Sequence, residues 1–175
     1  MTIKSFQSIN PEIADSVYVD ETALIVGDVS IAEDSSIWPM TVVRGDVNKI
    51  TIGSVTNIQD GSVLHVTHPH QQHPEGFALR VGNNVTVGHK VILHGCVIED
   101  NCLIGMGSTI MDGAVVHPYV LIGAGSLVSP GKELESGYLY LGSPVKKLRQ
   151  LSDEEYAWID YSALHYKKLK NRYMD

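Results

Sequence analysis

The chain has 175 residues, 43% of them apolar and only 19% charged, enough to build one hydrophobic core and too ordered a mixture for a disordered segment. Thirteen Lys and Arg stand against 20 Asp and Glu, and the net charge of -7 excludes a nucleic-acid polyanion as the main partner. No apolar run reaches the ~20 residues that span a bilayer, the opening residues lack the apolar core of a secretory signal, and Cys96 and Cys102 make no disulfide framework, so a cytoplasmic protein with no membrane partner is expected.

From Ile13 onward an aliphatic residue recurs every sixth position: Ile13, Val19, Ile25, Ile31, Ile37 and Val43. After a slip near Lys49-Ile50-Thr51 the series resumes at Ile52, Ile58 and Leu64, then at Val81, Val87 and Leu93, and finally from Ile98 through Val128. A second track of small or β-branched residues runs four positions later, as in Val17, Ala23, Ser35, Thr41, Cys102, Ser108 and Ser126. A period of six is neither helical nor the simple alternation of a strand. It fits a short strand plus a corner, with three such units closing one triangular turn of a parallel β-solenoid. Gly53, Gly82, Gly88, Gly105 and Gly123 follow aliphatic positions and are expected to form its tight corners.

Two segments leave the pattern. Residues 66–79 carry Pro69, Pro74, Gly76 and the histidines His68, His70 and His73, which predicts a solvated loop projecting from a corner. After Gly142-Ser143-Pro144, Ser152 and Glu155 form a capping box, and Tyr156, Ile159, Ala163, Tyr166 and Tyr173 continue as a helical stripe. The expectation is a single mainly β domain over 1–175: a β-helix at 12–142, the loop at 66–79 and a C-terminal α-helix at 152–172 that covers exposed sheet edges.

Unit counting places the histidines. Leu64 and Leu93 lie one turn apart once the loop is set aside, so His65 and His94 stack one rung apart, about 4.8 Å, and both can reach one metal ion. His89 sits one unit earlier, at a neighbouring corner, and cannot converge with them inside one chain. It can do so across a three-fold interface, which predicts a homotrimer with metal sites between subunits. Three His with an open position is the ligand set of a catalytic zinc, which makes hydroxide available at neutral pH. Arg44 and Asp46, then Asn57, Gln59 and Asp60, place polar groups in units that otherwise hold small apolar ones. Arg44 and Asp46 fit either solvated corners or, with Asn57 and Asp60, a lock on the subunit interface, while Gln59 is expected to orient the metal-bound water or substrate. Cys96, near His94, reads as a small core residue.

With RGD at 44–46, NIQD at 57–60, LH at 64–65, GHKVILHG at 88–95 and YLGSP at 140–144, nearly the whole chain resembles the gamma-class carbonic anhydrase family of hexapeptide-repeat proteins, in a bacterial branch of small members. The resemblance implies a left-handed β-helix, although right-handed crossovers are the general rule. It implies His65, His89 and His94 as ligands of Zn2+, with Fe2+ or Co2+ also accommodated. It further implies Gln59 as an active-site hydrogen-bonding residue, Arg44, Asp46 and Asp60 around the site, and Tyr140 as an active-site tyrosine. The implied activity is reversible hydration of CO2 to bicarbonate. The archetypal family enzyme has a glutamate where this chain has Val47, and a proton-shuttle glutamate where it has His68, so His68 is the candidate for proton transfer. Other functions compatible with the repeat are a metal-dependent acyl-CoA thioesterase, a hexapeptide acyltransferase, and a metal-bridged trimeric scaffold with weak or no turnover.

Overall fold

The structure, a computed structural model, describes residues 2–174. The aliphatic period does build a hexapeptide-repeat β-helix, left-handed, closed by one helix. Its first face stacks Tyr18–Val19, Ser36–Ile37, Asn57–Ile58, Thr86–Val87, Leu103–Ile104, Leu121–Ile122 and Tyr138–Gly142. The second begins in two long strands, Leu24–Ile31 and Val42–Ile52, and continues through Val63–His65, Ile92–His94, Thr109–Ile110 and Leu127–Val128. Both long strands turn the corner unbroken, so their far halves join Glu12–Ile13, Leu79–Val81, Val97–Ile98, Val115–Val116 and Glu133–Leu134 in the third face. The slip near Ile50 is an irregularity in this pair, where the register shifts between Gly27 and Val29.

Pairing between coils is parallel and follows the repeat: Leu103 meets Leu121, Thr109 meets Leu127 and Val115 meets Glu133. The every-sixth aliphatics point inward, and from Ile25 to Val128 they are buried. Each adds the burial worth of an aliphatic side chain, about 1.5–3 kcal/mol. The small track is buried beside them, and its hydroxyls reach across to the adjoining coil. Ser35 Oγ donates to the Gly53 carbonyl at 2.6 Å, Thr56 Oγ1 to Gly82 at 2.7 Å and Ser62 Oγ to Gly88 at 3.1 Å.

That contact corrects the expected role of those glycines. Gly88 and Gly105 do not have positive φ; the left-handed corners fall elsewhere, at Gly61, Lys90, Gly107, Gly113 and even Val55. A Cβ on Gly105 would lie 2.5 Å from the Ala124 amide nitrogen, and one on Gly88 2.8 Å from that of Met106. These glycines let one coil settle on the next.

The helix, α1 (Asp153–Met174), starts at the capping box: the Ser152 amide donates to Glu155 Oε2 at 2.9 Å and the Glu155 amide to Ser152 Oγ at 3.3 Å. It lies across the outer side of the first face rather than over a sheet edge. Ile159, Ser162, Ala163 and Lys170 are buried there, and Tyr166 meets the Trp38 ring edge-on at 5.5 Å. Tyr173, part of the expected stripe, is 60% exposed. The open end of the first face is covered instead by an antiparallel strand, Val145–Gln150, paired with Tyr138–Gly142. At the other end Ile3–Lys4 and Glu12–Ile13 pair with Leu24–Ile31.

The three faces differ on the outside. The first carries α1, and the third presents Glu12, Ser30, Thr51, Arg80 and Glu133 among its outward residues. The second presents an aliphatic row, Leu24, Val42, Val63, Ile92 and Leu127, broken only by Thr109, with Val63 and Ile92 39% and 43% exposed. No helix among the described residues is long and apolar enough to cross a membrane.

Candidate metal centre

His65 and His94 end adjacent strands of the second face and are register partners. Their rings lie 5.1 Å apart, with His65 Nδ1 facing His94 Nε2 at 3.1 Å. The other nitrogen of each ring meets a carboxylate: His65 Nε2 lies 3.1 Å from Asp46 Oδ1, and His94 Nδ1 lies 2.6 Å from Asp112 Oδ1. His89 stands at the corner that opens the same face, its Nδ1 2.9 Å from Asp60 Oδ2 on the adjoining coil.

This pattern decides which nitrogens are free. An ionised carboxylate only accepts, so the ring nitrogen facing it carries the proton and the other keeps its lone pair. In its neutral form each of the three imidazoles presents one bare nitrogen, and two of these face each other at 3.1 Å, a separation that a proton or a cation between them satisfies. Such a pair suits a metal ion, and a histidine backed by a carboxylate is the usual form of a metal ligand. Burial, with the Arg44 guanidinium nearby, lowers the pKa of His65 and keeps that ring neutral despite Asp46. Asp46 is held below the usual carboxylate range: burial opposes this, but hydrogen bonds from Arg44, at 2.5 Å, and from His65 outweigh it.

The donor set thus fits a divalent metal. Within one chain, among the described residues, no three His, Cys, Asp or Glu side chains converge closely enough to hold one. His89 marks one edge of the second face, His65 and His94 the other.

Gln59 is buried, and its Nε2 donates to Asn57 Oδ1 at 3.0 Å. Asn57 Nδ2 donates to Thr86 Oγ1, and Thr86 Oγ1 to Ser162 Oγ on α1, each at 3.0 Å. This chain fixes the Gln59 amide and leaves Oε1 as its acceptor. His68 borders a cleft of about 480 Å3 that is also lined by Asp46 and Val47, so the expected proton-transfer residue opens onto the same cleft as the carboxylate that holds His65.

Tyr140 is not brought to this region. Its ring is core, its hydroxyl accepts the Glu135 amide at 2.9 Å, and it lies three coils beyond His94, about 14 Å at the spacing of parallel strands. The tyrosine that does come close is Tyr166 of α1, whose pKa is raised by burial and by the Asp60 carboxylate. The sequence placed Tyr166 on the buried stripe without showing which coil it meets. Asp112 lies in no motif, so the sequence carries no signal for its contact with His94. Cys96 is fully buried, and burial pushes its thiol well above the ordinary range, which suits core and not a ligand.

The 66–79 loop is more ordered than expected. Thr67 bridges Phe77 and His70 bridges His73, each pair antiparallel, so the segment is a small hairpin. Asn48 Nδ2 ties its base by donating to the carbonyls of Thr67 and Glu75.

The model of the family described as bacterial transferase hexapeptide (six repeats) matches residues 79–110 and 95–130. The protein YrdA of Escherichia coli (strain K12) is 56% identical over 173 residues, which cover 99% of this chain and 94% of that protein. A carbonic anhydrase of Geobacillus kaustophilus is 44% identical over 153 residues, covering 87% of this chain and 80% of the relative. Among solved structures, a hexapeptide transferase family protein from Anaplasma phagocytophilum superposes with a TM-score of 0.92 at 38% identity, covering 98% of each chain.

Proposed function

This chain belongs to the gamma carbonic anhydrase-like family of hexapeptide-repeat proteins, and from that membership we propose that it is a metal-dependent, homotrimeric enzyme of the cytoplasm that interconverts CO2 and bicarbonate. The observation that carries the reading is the set of three carboxylate-backed histidines, two with bare nitrogens 3.1 Å apart.

His65, His89 and His94 would hold the ion, with Zn2+ first and Fe2+ or Co2+ as alternatives. Bound there, such an ion supplies Lewis acidity, bringing the pKa of a coordinated water to near 7. The residues of the chain do the rest. Asp46, Asp60 and Asp112 hold the three rings in one tautomer. Gln59, pinned by Asn57, offers Oε1 to a water or substrate hydroxyl. Hydration of CO2 yields bicarbonate and one proton, and His68, which lines one cleft with Asp46, would take that proton to solvent.

The trimer rests on the second face. Among the described residues no element lies over its outward aliphatic row, unlike the first face under α1. Three copies that cover this face in a ring bring the His89 edge of one against the His65–His94 edge of the next, which completes the ligand set. The cytoplasm suits two buried cysteines left as free thiols.

A second reading is acyl transfer or acyl-CoA hydrolysis, favoured by the transferase name of the Anaplasma structure. An acyltransferase works with one histidine as base, whereas here every candidate ring is tied to a carboxylate and two rings face each other. The test is metal analysis of the purified chain alongside stopped-flow CO2 hydration and acyl-CoA hydrolysis on one metal-loaded sample. Chelator-sensitive hydration supports the first reading. Metal with acyl-CoA turnover alone supports the second.

A further inference from the structure

We propose that Asp112 is a positioning residue that locks His94 and the base of the histidine-bearing hairpin into one unit. The proposal rests on His94 being a metal ligand and adds the group that sets its orientation.

The two carboxylate oxygens of Asp112 have different partners. Oδ1 takes the His94 Nδ1 proton at 2.6 Å, and Oδ2 accepts the Thr67 hydroxyl at 3.0 Å. Thr67 begins the hairpin: its amide donates to the Phe77 carbonyl at 3.0 Å, and the Phe77 amide donates back at 2.9 Å. Phe77 rests against the two glycines that flank this pair of residues. A Cβ on Gly95, next to His94, would lie 2.6 Å from Phe77 Cβ, and one on Gly113, next to Asp112, would lie 3.0 Å from the Phe77 ring. Both positions have positive φ, so neither the backbone nor the space admits a side chain. The hairpin is thus fitted against the coil edge where His94 and Asp112 sit, and Asp112 is the polar link between them.

Two consequences follow from the chemistry. A carboxylate at Nδ1 fixes the Nδ1–H tautomer and leaves Nε2 bare, the form a metal needs. Because the same carboxylate holds Thr67, a shift of the hairpin that carries His68 moves the acceptor of His94. Asp112 does for His94 what Asp46 does for His65 and Asp60 for His89, with the added tie to the loop.

The test uses the full chain with Asp112→Asn, Asp112→Glu and Thr67→Val. In the metal-free protein, 1H–15N spectra of the imidazoles are expected to show His94 as the Nδ1–H tautomer. In Asp112→Asn the amide can donate to Nδ1, so the tautomer turns over, and Zn2+ affinity in competition with a chromophoric chelator falls roughly 10–100-fold. Asp112→Glu keeps an acceptor and restores both in part. Thr67→Val leaves the tautomer in place but speeds hydrogen exchange of the Thr67 and Phe77 amides by about tenfold. An Asp112→Asn protein with the wild-type tautomer and affinity overturns the proposal. Should that variant not fold, unchanged exchange in Thr67→Val overturns the coupling. A wild-type chain that binds no Zn2+ defeats the metal reading, while tautomer and exchange still decide the role of Asp112.

Discussion

His65 Nδ1 and His94 Nε2 face each other at 3.1 Å, each from a ring whose other nitrogen is engaged by an aspartate. Two lone pairs that close repel unless a proton or a metal ion lies between them, and the register pairing of residues 65 and 94 brings the two rings together from backbone alone, as the proposed metal site requires. His65→Ala and His94→Ala are each expected to lose bound metal by elemental analysis. Gln59→Ala is expected to keep it while lowering kcat. Full metal occupancy in His94→Ala contradicts the ligand assignment.

The close stacking of coils makes two neighbouring glycines unequal. Gly107 has positive φ and open space around its missing Cβ, whereas at Gly105 a Cβ meets the backbone of the adjoining coil at 2.5 Å. Gly107→Ala is expected to cost about 1 kcal/mol from conformation. Gly105→Ala must push two coils apart and is expected to cost more, about 3 kcal/mol, in the range of core overpacking. Urea unfolding of both variants measures the order, and equal costs contradict it.

The aliphatic row of the second face supplies a test of assembly. Val63→Glu and Ile92→Glu alter outward side chains and leave the inward ladder intact. Each is expected to give a folded monomer by light scattering and to lose metal with the trimer, because His89 no longer meets the other two ligands. A variant that dissociates and keeps its metal places the whole ligand set in one chain.

Glu155 ties the start of α1 to the end strand. Arg149 donates to both its oxygens, at 2.7 and 2.9 Å, and the Ser152 amide donates at 2.9 Å. The Arg149 contact first, then the Ser152 amide, lower its pKa from 4.5 to about 2. A depressed carboxylate contributes stability that is fully present above its unfolded pKa and lost as pH falls through the folded value. Thermal unfolding should therefore separate wild type from Glu155→Gln at pH 6, with the gap closing as pH falls from 4.5 toward 2. A gap that does not narrow contradicts this role.

Much of the solenoid was legible because its inward ladder depends only on spacing: Ile104, Ile110 and Val116 fall six apart and are all buried. Rung counting likewise paired His65 with His94, and Ser152 with Glu155 announced the helix start. What stayed hidden depends on contact between coils or elements. A six-residue frame does not say which position touches the adjoining coil, so Gly88 and Gly105 read as corners when they are points of approach. Asp112 belongs to no motif and reaches His94 from the adjoining coil. The docking of α1 is tertiary, so nothing in the chain order distinguished Tyr166, near Asp60, from Tyr140, sealed in the core.

The most direct measurement is metal content of the purified, metal-replete chain, taken with stopped-flow CO2 hydration on the same anaerobic sample. About one metal per chain, with hydration abolished by a chelator and restored by Zn2+, is the expected result. Full metal occupancy with no hydration contradicts the carbonic anhydrase reading and leaves the histidine site to other chemistry.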